Sequence, residues 1–361
     1  MNAVEHFYAL SDADQAERLM SLAQAAGRFW EGGFTDLELV KYRENAVFSA
    51  RRPDGQRIAV RVHRHGYHSD AALWSELHWM GEIGCSAEVD VPPVLSAADG
   101  RLHVLVTHDA VPEPRQVSVL GWLSGSPIGT SESGADLDDA AAAELYLQAG
   151  RIAGVLHAHA VSMDLPAGFT RHAWDEAGLV GPDPLWGRFW ESPTLTREQR
   201  DLLQQARIAA QEDLTLFGKH ANNYGLIHAD FVPENLLHEA GRLKLIDFDD
   251  AGYGWHLFEL ATALYFNVDE PCYPGISTAL LTGYRTVRTL DERDEDLLPL
   301  FVFLRGSTYL AWVQSRPETE TAKTMGPMLV ERACTAAERY LLSRPCGISG
   351  DVSADECRST G

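Results

Sequence analysis

Cysteine, positive charge and long apolar runs are all in short supply in this 361-residue chain. Its five cysteines (Cys85, Cys272, Cys334, Cys346, Cys357) are odd in number and form no CxxC pair. They read as reduced thiols, which excludes a disulfide-stapled scaffold and a cysteine-based zinc site. Lys and Arg total 30 against 52 Asp and Glu, a formal net charge of −22. That balance argues against nucleic acid, whose phosphates draw basic residues, and against anionic membrane surfaces. It fits either an acidic pocket for a cationic substrate or a solvated acidic surface kept for solubility. No apolar run reaches the roughly 18 residues of a membrane span. Met1-Asn2-Ala3-Val4-Glu5-His6 has neither the basic nor the apolar stretch of a secretory leader, so the expected location is cytoplasmic. Monomer or homodimer is the expected state.

What is present is ordinary for a globular enzyme: 45% hydrophobic and 23% charged residues, in a length that suits two lobes. Residues 12–29 pattern as an amphipathic helix with Leu19, Leu22 and Ala26 on one face. Strand-like runs follow at 37–42, 46–51, 57–63, 94–97, 102–107 and 116–120, and Ser69-Asp70 caps a helix running to about Ile83. The expectation is an α+β chain. A small N-terminal lobe (1–120) carries a five-stranded antiparallel sheet and one main helix, and Gly121-Trp122-Leu123-Ser124-Gly125 forms a hinge (121–125). A larger, mostly helical lobe (126–345) has helices at 138–160, 196–219, 255–266, 275–289, 294–314 and 319–343. A two-stranded insert spans Leu226–Ile246 there, turning at Glu239-Ala240-Gly241. The tail (346–361), rich in Ser, Gly and Asp, reads as disordered.

The most informative stretch is His228-Ala229-Asp230-Phe231-Val232-Pro233-Glu234-Asn235, an H-x-D-x-x-x-x-N pattern between two short strands. Twelve residues after Asn235, the apolar run ending at Ile246 is closed by Asp247-Phe248-Asp249. Phosphoryl transfer asks a protein for positioning and charge: Mg²⁺ against the phosphates, and a carboxylate to receive the acceptor hydroxyl's proton. Asp230 and Asn235 can divide these tasks, Asp230 as base and Asn235 as a metal ligand. Asp247 supplies the charged oxygen ligand that Mg²⁺ prefers. The same residues would also serve as a buried His and a capping Asp beside a turn. Upstream, Ile58-Ala59-Val60-Arg61-Val62 places a cation on the third strand, and Glu76 follows fifteen residues later in the predicted helix. That order matches the strand cation and helix carboxylate of a kinase nucleotide site. ATP and Mg²⁺ are the expected cofactors.

With these motifs the chain resembles the aminoglycoside phosphotransferase, choline kinase and homoserine kinase family. In look it is nearest to the bacterial stress-response kinase-like and homoserine kinase-like members. Further matching stretches are Glu44-Asn45, Ala59–Tyr67, Gly150–His157, Trp186-Gly187-Arg188 and Leu257–Ala261, spread over residues 40–265. The resemblance implies a bilobal protein-kinase-like fold, ATP between the lobes, and Asp230, Asn235 and Asp247 as base and metal ligands. Arg61 with Glu76, Asn45 and the backbone of Leu120, Trp122 and Leu123 are the nucleotide contacts expected. His228 is read as a brace of the loop. Asp249, Asp250, Glu259, Trp186 and Trp312 are candidates for the acceptor site, although Glu259 suits a bracing role and the tryptophans suit core packing equally well. His63, His65, His68 and His78 lack metal-ligand spacing and read as phosphate-adjacent or surface residues.

The departures from a protein kinase are specific. No G-x-G-x-x-G covers the phosphates, Ala229 stands where such kinases carry Arg, Val232 replaces the loop Lys, and Asp249 replaces the Gly of DFG. Only about seven residues separate Asp249 from the helix near Leu257, too few for a peptide-docking segment. A small-molecule hydroxyl acceptor is therefore expected: an aminoglycoside, an amino alcohol, homoserine or a sugar. A protein Ser/Thr kinase of the stress-response type and a non-catalytic pseudokinase are the alternatives.

Overall fold

The computed structural model describes residues 2–43, 45–86, 88–130, 139–315 and 320–344. Glu44 and the tail from Cys346 to Gly361 lie outside the described residues. The chain divides into two compact units, one of residues 1–174 and 220–290, the other of 175–219 and 291–361.

The first unit begins with two helices, α1 (Ala3–Tyr8) and α2 (Asp12–Ala26), each started by a side-chain cap. Asn2 and Glu5 form a reciprocal capping box on α1, and Ser11 receives the Asp14 amide on α2. Leu19, Leu22 and Ala26 of α2 are buried, as their spacing predicts. They pack on a five-stranded antiparallel sheet in the order β1-β2-β3-β5-β4. Its strands are β1 (Thr35–Tyr42), β2 (Ala46–Arg51), β3 (Arg57–Val62), β4 (His103–His108) and β5 (Val111–Gly121). Phe48, Val60, Val104, Val106, Val117 and Val119 form the apolar layer beneath α2. The main helix of this part, α3 (Asp70–Ser86), buries Leu73, Glu76, Leu77 and Met80.

Two strand readings change. Val94–Ala97 is not a strand; Val94 makes one isolated bridge to Leu120, since Pro92 and Pro93 before it have no N–H to extend a ladder. Conversely, β5 starts at Val111, upstream of the run read from sequence. Pro112 and Pro114 hide it, and both lie where β5 pairs with β4 alone, so no second ladder loses a donor.

Beyond the sheet the first unit continues through β6 (Ser126–Pro127), α4 (Asp139–Ser162) and β7 (Ala173–Trp174). The second unit then takes α5 (Glu176–Val180) and α6 (Arg197–Phe217). The chain returns to the first unit with β8 (Tyr224–Ile227), β9 (Leu236–Glu239), β10 (Arg242–Leu245), β11 (Gly252–Trp255), α7 (His256–Leu264) and α8 (Tyr273–Arg285). The parallel pairing of β11 with β7 and its antiparallel pairing with β8 form a small three-stranded sheet. Helices α4 and α8 touch backbone to backbone. A Cβ built at Gly150 would lie 1.9 Å from the Leu280 carbonyl oxygen, and one at Gly283 1.9 Å from that of Leu147. Only glycine permits the approach.

The second unit is completed by α9 (Glu292–Glu295), α10 (Leu298–Ser315) and α11 (Glu320–Ser343). Helix α11 packs on both α6 and α10, with Leu203, Leu214, Phe303, Leu304 and Tyr340 buried. Among the described residues no helix is long and apolar enough to cross a membrane. The architecture is the α+β, bilobal kind that the sequence implies, with a five-stranded antiparallel sheet and a large helical share.

Candidate active site

Strand β8 ends at Ile227 and delivers the His228–Asn235 loop. Ala229 holds a left-handed backbone (φ 63°), a conformation that costs a non-glycine residue about 1–2 kcal/mol. What sustains it is Glu259 of α7, whose side chain is fully buried. Its two carboxylate oxygens accept the His228 and Ala229 amides, each at 2.8 Å. The His228 ring is buried too: Nε2 donates to the Ile246 carbonyl at 3.0 Å and Nδ1 accepts the Asp230 amide at 3.3 Å. Burial pulls its pKa down, so it serves as a neutral donor and acceptor within the loop.

One turn of 3₁₀ helix, Pro233–Asn235, brings Asn235 back against Asp230. The Asn235 amide nitrogen donates to Asp230 Oδ2 at 2.7 Å and to the Asp230 carbonyl at 2.9 Å. Asp230 itself is partly accessible.

After β10 the chain reaches Asp247, a second non-glycine residue in the left-handed region (φ 68°). Desolvation pushes its pKa up to about 6, with Arg61 opposing and the Asp249 and Asp230 charges adding to the rise. Since 47% of the side chain is accessible, water damps that rise. Phe248 packs edge-on against Trp79 of α3 (5.6 Å between centroids) and against His228 (4.6 Å). It thus wedges α3 to the catalytic loop.

The Arg61–Glu76 pair forms, with Arg61 Nη1 donating to Glu76 Oε1 at 2.7 Å. Arg61 Nη2 donates to Asp249 Oδ1 at 3.1 Å and stands 4.0 Å from Asp247. Burial alone would lower the Arg61 pKa, but the Glu76 and Asp249 charges outweigh it and keep the guanidinium charged. Burial would likewise raise Asp249, yet the His68 hydrogen bond and the Arg61 charge hold its carboxyl well below the usual range. Asp249 therefore spends its carboxylate on Arg61, with His68 Nε2 3.6 Å from it and bonded to the Asp249 backbone carbonyl at 3.1 Å, and Glu259 spends its own on loop amides. Asp250 is half-buried, and its carboxylate accepts from the Tyr67 hydroxyl at 3.2 Å.

Other expected residues fall as follows. Asn45 Oδ1 accepts the Arg64 amide at 3.1 Å. Leu120 is buried in β5, Trp122 lies under the Arg57 guanidinium (3.7 Å), and Leu123 is partly accessible. Trp186 and Trp312 belong to the second unit, where their rings are 6.4 Å apart. His63 is neither on the surface nor free for phosphate: it is buried in the sheet, 2.8 Å from the Ser118 hydroxyl, with burial holding it neutral. Sequence reasoning missed Lys41 and Arg43, which approach Glu234 of the catalytic loop at 3.8 and 3.9 Å. It also missed Arg171, His172 and Trp174, whose one visible signal is a polar–aromatic R-H-x-W run in a loop.

The sequence profile of the phosphotransferase enzyme family (APH) matches residues 38–292. The chain belongs to this family. Amicoumacin kinase of Bacillus subtilis (strain 168) is 26% identical over 297 residues, covering 79% of this chain and 81% of that protein. The homoserine kinase of Gluconobacter oxydans (strain 621H) is 31% identical over 169 residues, 44% of this chain and 49% of that protein. Among solved structures, a microcompartment-associated aminopropanol kinase superposes with a TM-score of 0.78 at 32% identity, over 90% of this chain and 98% of that one. Membership in the APH phosphotransferase family makes the chain an enzyme of the small-molecule kinase class, and the motif at 228–235 lies well inside the matched region.

Proposed function

We propose that this chain transfers the γ-phosphoryl group of ATP, with Mg²⁺, to the hydroxyl of a small molecule, and that an alcohol bearing an amino group is its acceptor class. The observation that carries the reading is the Asp230–Asn235 contact at 2.7 Å. It fixes the Asp230 carboxylate and leaves the Asn235 amide oxygen as the atom that can meet a cation. The donor set suits a hard divalent ion. Asp247 and Asn235 offer oxygen ligands, as Mg²⁺ prefers, and a cation there would offset the desolvation and the neighbouring carboxylate charges that push Asp247 up to about 6. When bound, the ion supplies neutralisation of the phosphate oxygens.

The chain's own residues do the remainder. Asp230 accepts the acceptor's proton and aims its oxygen. Arg61, locked to Glu76, faces the α- and β-phosphates, and the connection at Arg43 and Asn45 stands in place of a glycine-rich cover. Leu120, Trp122 and Leu123 present backbone groups to adenine, with 121–125 as the hinge between residues 1–120 and 126–345. His228 and Glu259 hold the loop in register. A small acceptor is favoured because the seven-odd residues after Asp249 are taken up by β11, which leaves no peptide-docking segment. An amine is favoured by the half-buried Asp250 beside Tyr67 and by the net charge of −22. Aminopropanol and homoserine, the acceptors named for two relatives, both carry amino and hydroxyl groups.

The test is ADP release across a panel of amino alcohols, aminoglycosides, sugars and peptides. Asp247→Ala is expected to abolish metal-dependent turnover in a folded protein. Asp230→Asn is expected to lower kcat by on the order of 10²-fold or more at unchanged nucleotide affinity. Near-wild-type ADP release from either variant, or turnover of peptides alone, would overturn the reading.

A further inference from the structure

The backbone that follows Asp247 is held by a segment with no motif of its own. The carbonyl oxygens of Asp249, Asp250 and Ala251, three in a row, are all met by side chains from residues 171–174. Arg171 Nη2 donates to the Asp249 carbonyl and Nε to the Ala251 carbonyl. His172 Nε2 and Trp174 Nε1 both donate to the Asp250 carbonyl, at 3.1 and 2.9 Å. Burial pulls the His172 pKa down to about 3, so its ring is neutral and Nε2 carries the proton it donates. The Tyr253 amide returns the tie by donating to the His172 carbonyl at 2.9 Å, where β7 joins β11.

Arg171 reaches further, into α3. Its Nη1 donates to the Ala72 carbonyl at 3.1 Å and stands 3.7 Å from Glu76 Oε2. That oxygen is buried and makes no hydrogen bond, while Glu76 Oε1 is taken by Arg61. Glu76 therefore lies between two guanidiniums, Arg61 through one oxygen and Arg171 facing the other. Only a planar fork with several N–H groups can serve two loop carbonyls, a helix carbonyl and a carboxylate together.

We propose that Arg171, with His172 and Trp174, is a positioning strap that fixes the 249–251 backbone and α3 in the one arrangement where Asp247 and Glu76 both address Arg61. In protein kinases the strand–helix ion pair and the metal-binding loop are brought into place by a movable helix and a movable segment. Here the strap ties those elements to each other directly, and β11 begins at Gly252, so the loop has no slack in which to swing. The kinase is thereby assembled before any ligand arrives. This inference rests on the reading of Asp247 as a metal ligand.

The test is Arg171→Lys, which keeps the charge and loses the fork, with Trp174→Phe as a milder variant that loses one donor and keeps the ring. Affinity for Mn²⁺ with a non-hydrolysable ATP analogue is measured by calorimetry, alongside kcat, acceptor KM, thermal midpoint and amide hydrogen exchange. Arg171→Lys is expected to weaken metal affinity by about 10- to 100-fold, the range for groups that orient metal ligands. Exchange should quicken at residues 247–253 and in α3. Trp174→Phe should move the same quantities in the same direction by less, and it decides the matter if Arg171→Lys does not fold. A lowered thermal midpoint with unchanged metal affinity and unchanged kcat per folded molecule would overturn the proposal, since that is what a merely structural staple gives. Asp247→Ala is run in parallel. If it binds Mn²⁺ normally, the reading of Asp247 fails; if it loses Mn²⁺ while both strap variants keep it, the strap alone fails.

Discussion

The Asp247 loop is backed by a chain of buried charges set among neutral rings, whereas the Asp230 loop is backed by a single buried charge, Glu259. In the first cluster Arg61 and Arg171 alternate with Glu76 and Asp249, and every contact has a direction set by a guanidinium fork. In the second, Glu259 is met by two backbone amides, and the rings beside it are His157, His256 and Tyr284. His157 and His256 stack 4.2 Å apart, His157 Nδ1 lies 3.0 Å from the Tyr284 hydroxyl, and His157 Nε2 stands 3.6 Å from Glu259. Burial holds both histidines well below their ordinary pKa. The difference teaches how one molecule solves the same task twice. Two loops, each carrying an accessible carboxylate, are held still: one by paired charges, which resist acid and punish truncation, the other by a buried carboxylate backed by uncharged rings, which tolerate truncation better and resist acid poorly.

Breaking the charged cluster should have the largest effect. Glu76→Ala takes from Arg61 one of its two close carboxylates and from Arg171 the carboxylate it faces, and removing one partner of a buried ion pair costs about 3–5 kcal/mol. Urea unfolding measures this; a loss under about 1 kcal/mol would mean that the guanidiniums find other partners and that the comparison is wrong. In the neutral cluster His157→Phe keeps the stack and strands the Tyr284 hydroxyl, with an expected loss of about 1–3 kcal/mol by the same measurement. A loss equal to that of Glu76→Ala would erase the distinction. The smallest effect is the pH dependence. A histidine whose pKa is depressed by folding contributes stability that is present above its unfolded pKa, near 6.5, and lost as pH falls below it. Each such ring should cost about 1.4 kcal/mol per pH unit on the acid side, so the stability of His157→Phe should fall less steeply than wild type below pH 6.5 by that amount. Parallel curves for the two proteins would show that His157 does not remain neutral.

Both clusters are partly visible in the sequence: His228 and Glu259 read as braces of the second, and what stays hidden there is the stack of rings behind them. Asp230, Asn235, Asp247, Arg61 and Glu76 can be picked out because the proposed phosphoryl transfer restricts both residue type and spacing, and spacing survives in a string of letters. Arg171 cannot be found that way, since its partners are backbone carbonyls that any residue would supply, and no fixed interval links it to Asp249. The histidines at 157 and 256 fail for a related reason: in sequence they are isolated polar residues on apolar helices, and only folding stacks them. The fold shows the same division. Helices α6 and α11 announce themselves by periodicity, while α1 is too short to show a period and β5 is disguised by Pro112 and Pro114 until its one-sided pairing is known. Trp186 and Trp312 carry no spacing rule at all, and their identity alone does not say whether they pack or bind.

The backbone contact between α4 and α8 works as a gauge block. His157 rides on α4 two turns beyond Gly150, and Tyr284 rides on α8 directly after Gly283. A methyl group at either glycine would sit 1.9 Å from a carbonyl oxygen where at least 3.4 Å is ordinary, so the helices would have to part. Parting them would draw Tyr284 away from His157, and His157 away from the carboxylate that steadies the catalytic loop. The tolerance of the machine at its reactive end is thus set by two side chains that consist of a single hydrogen atom each.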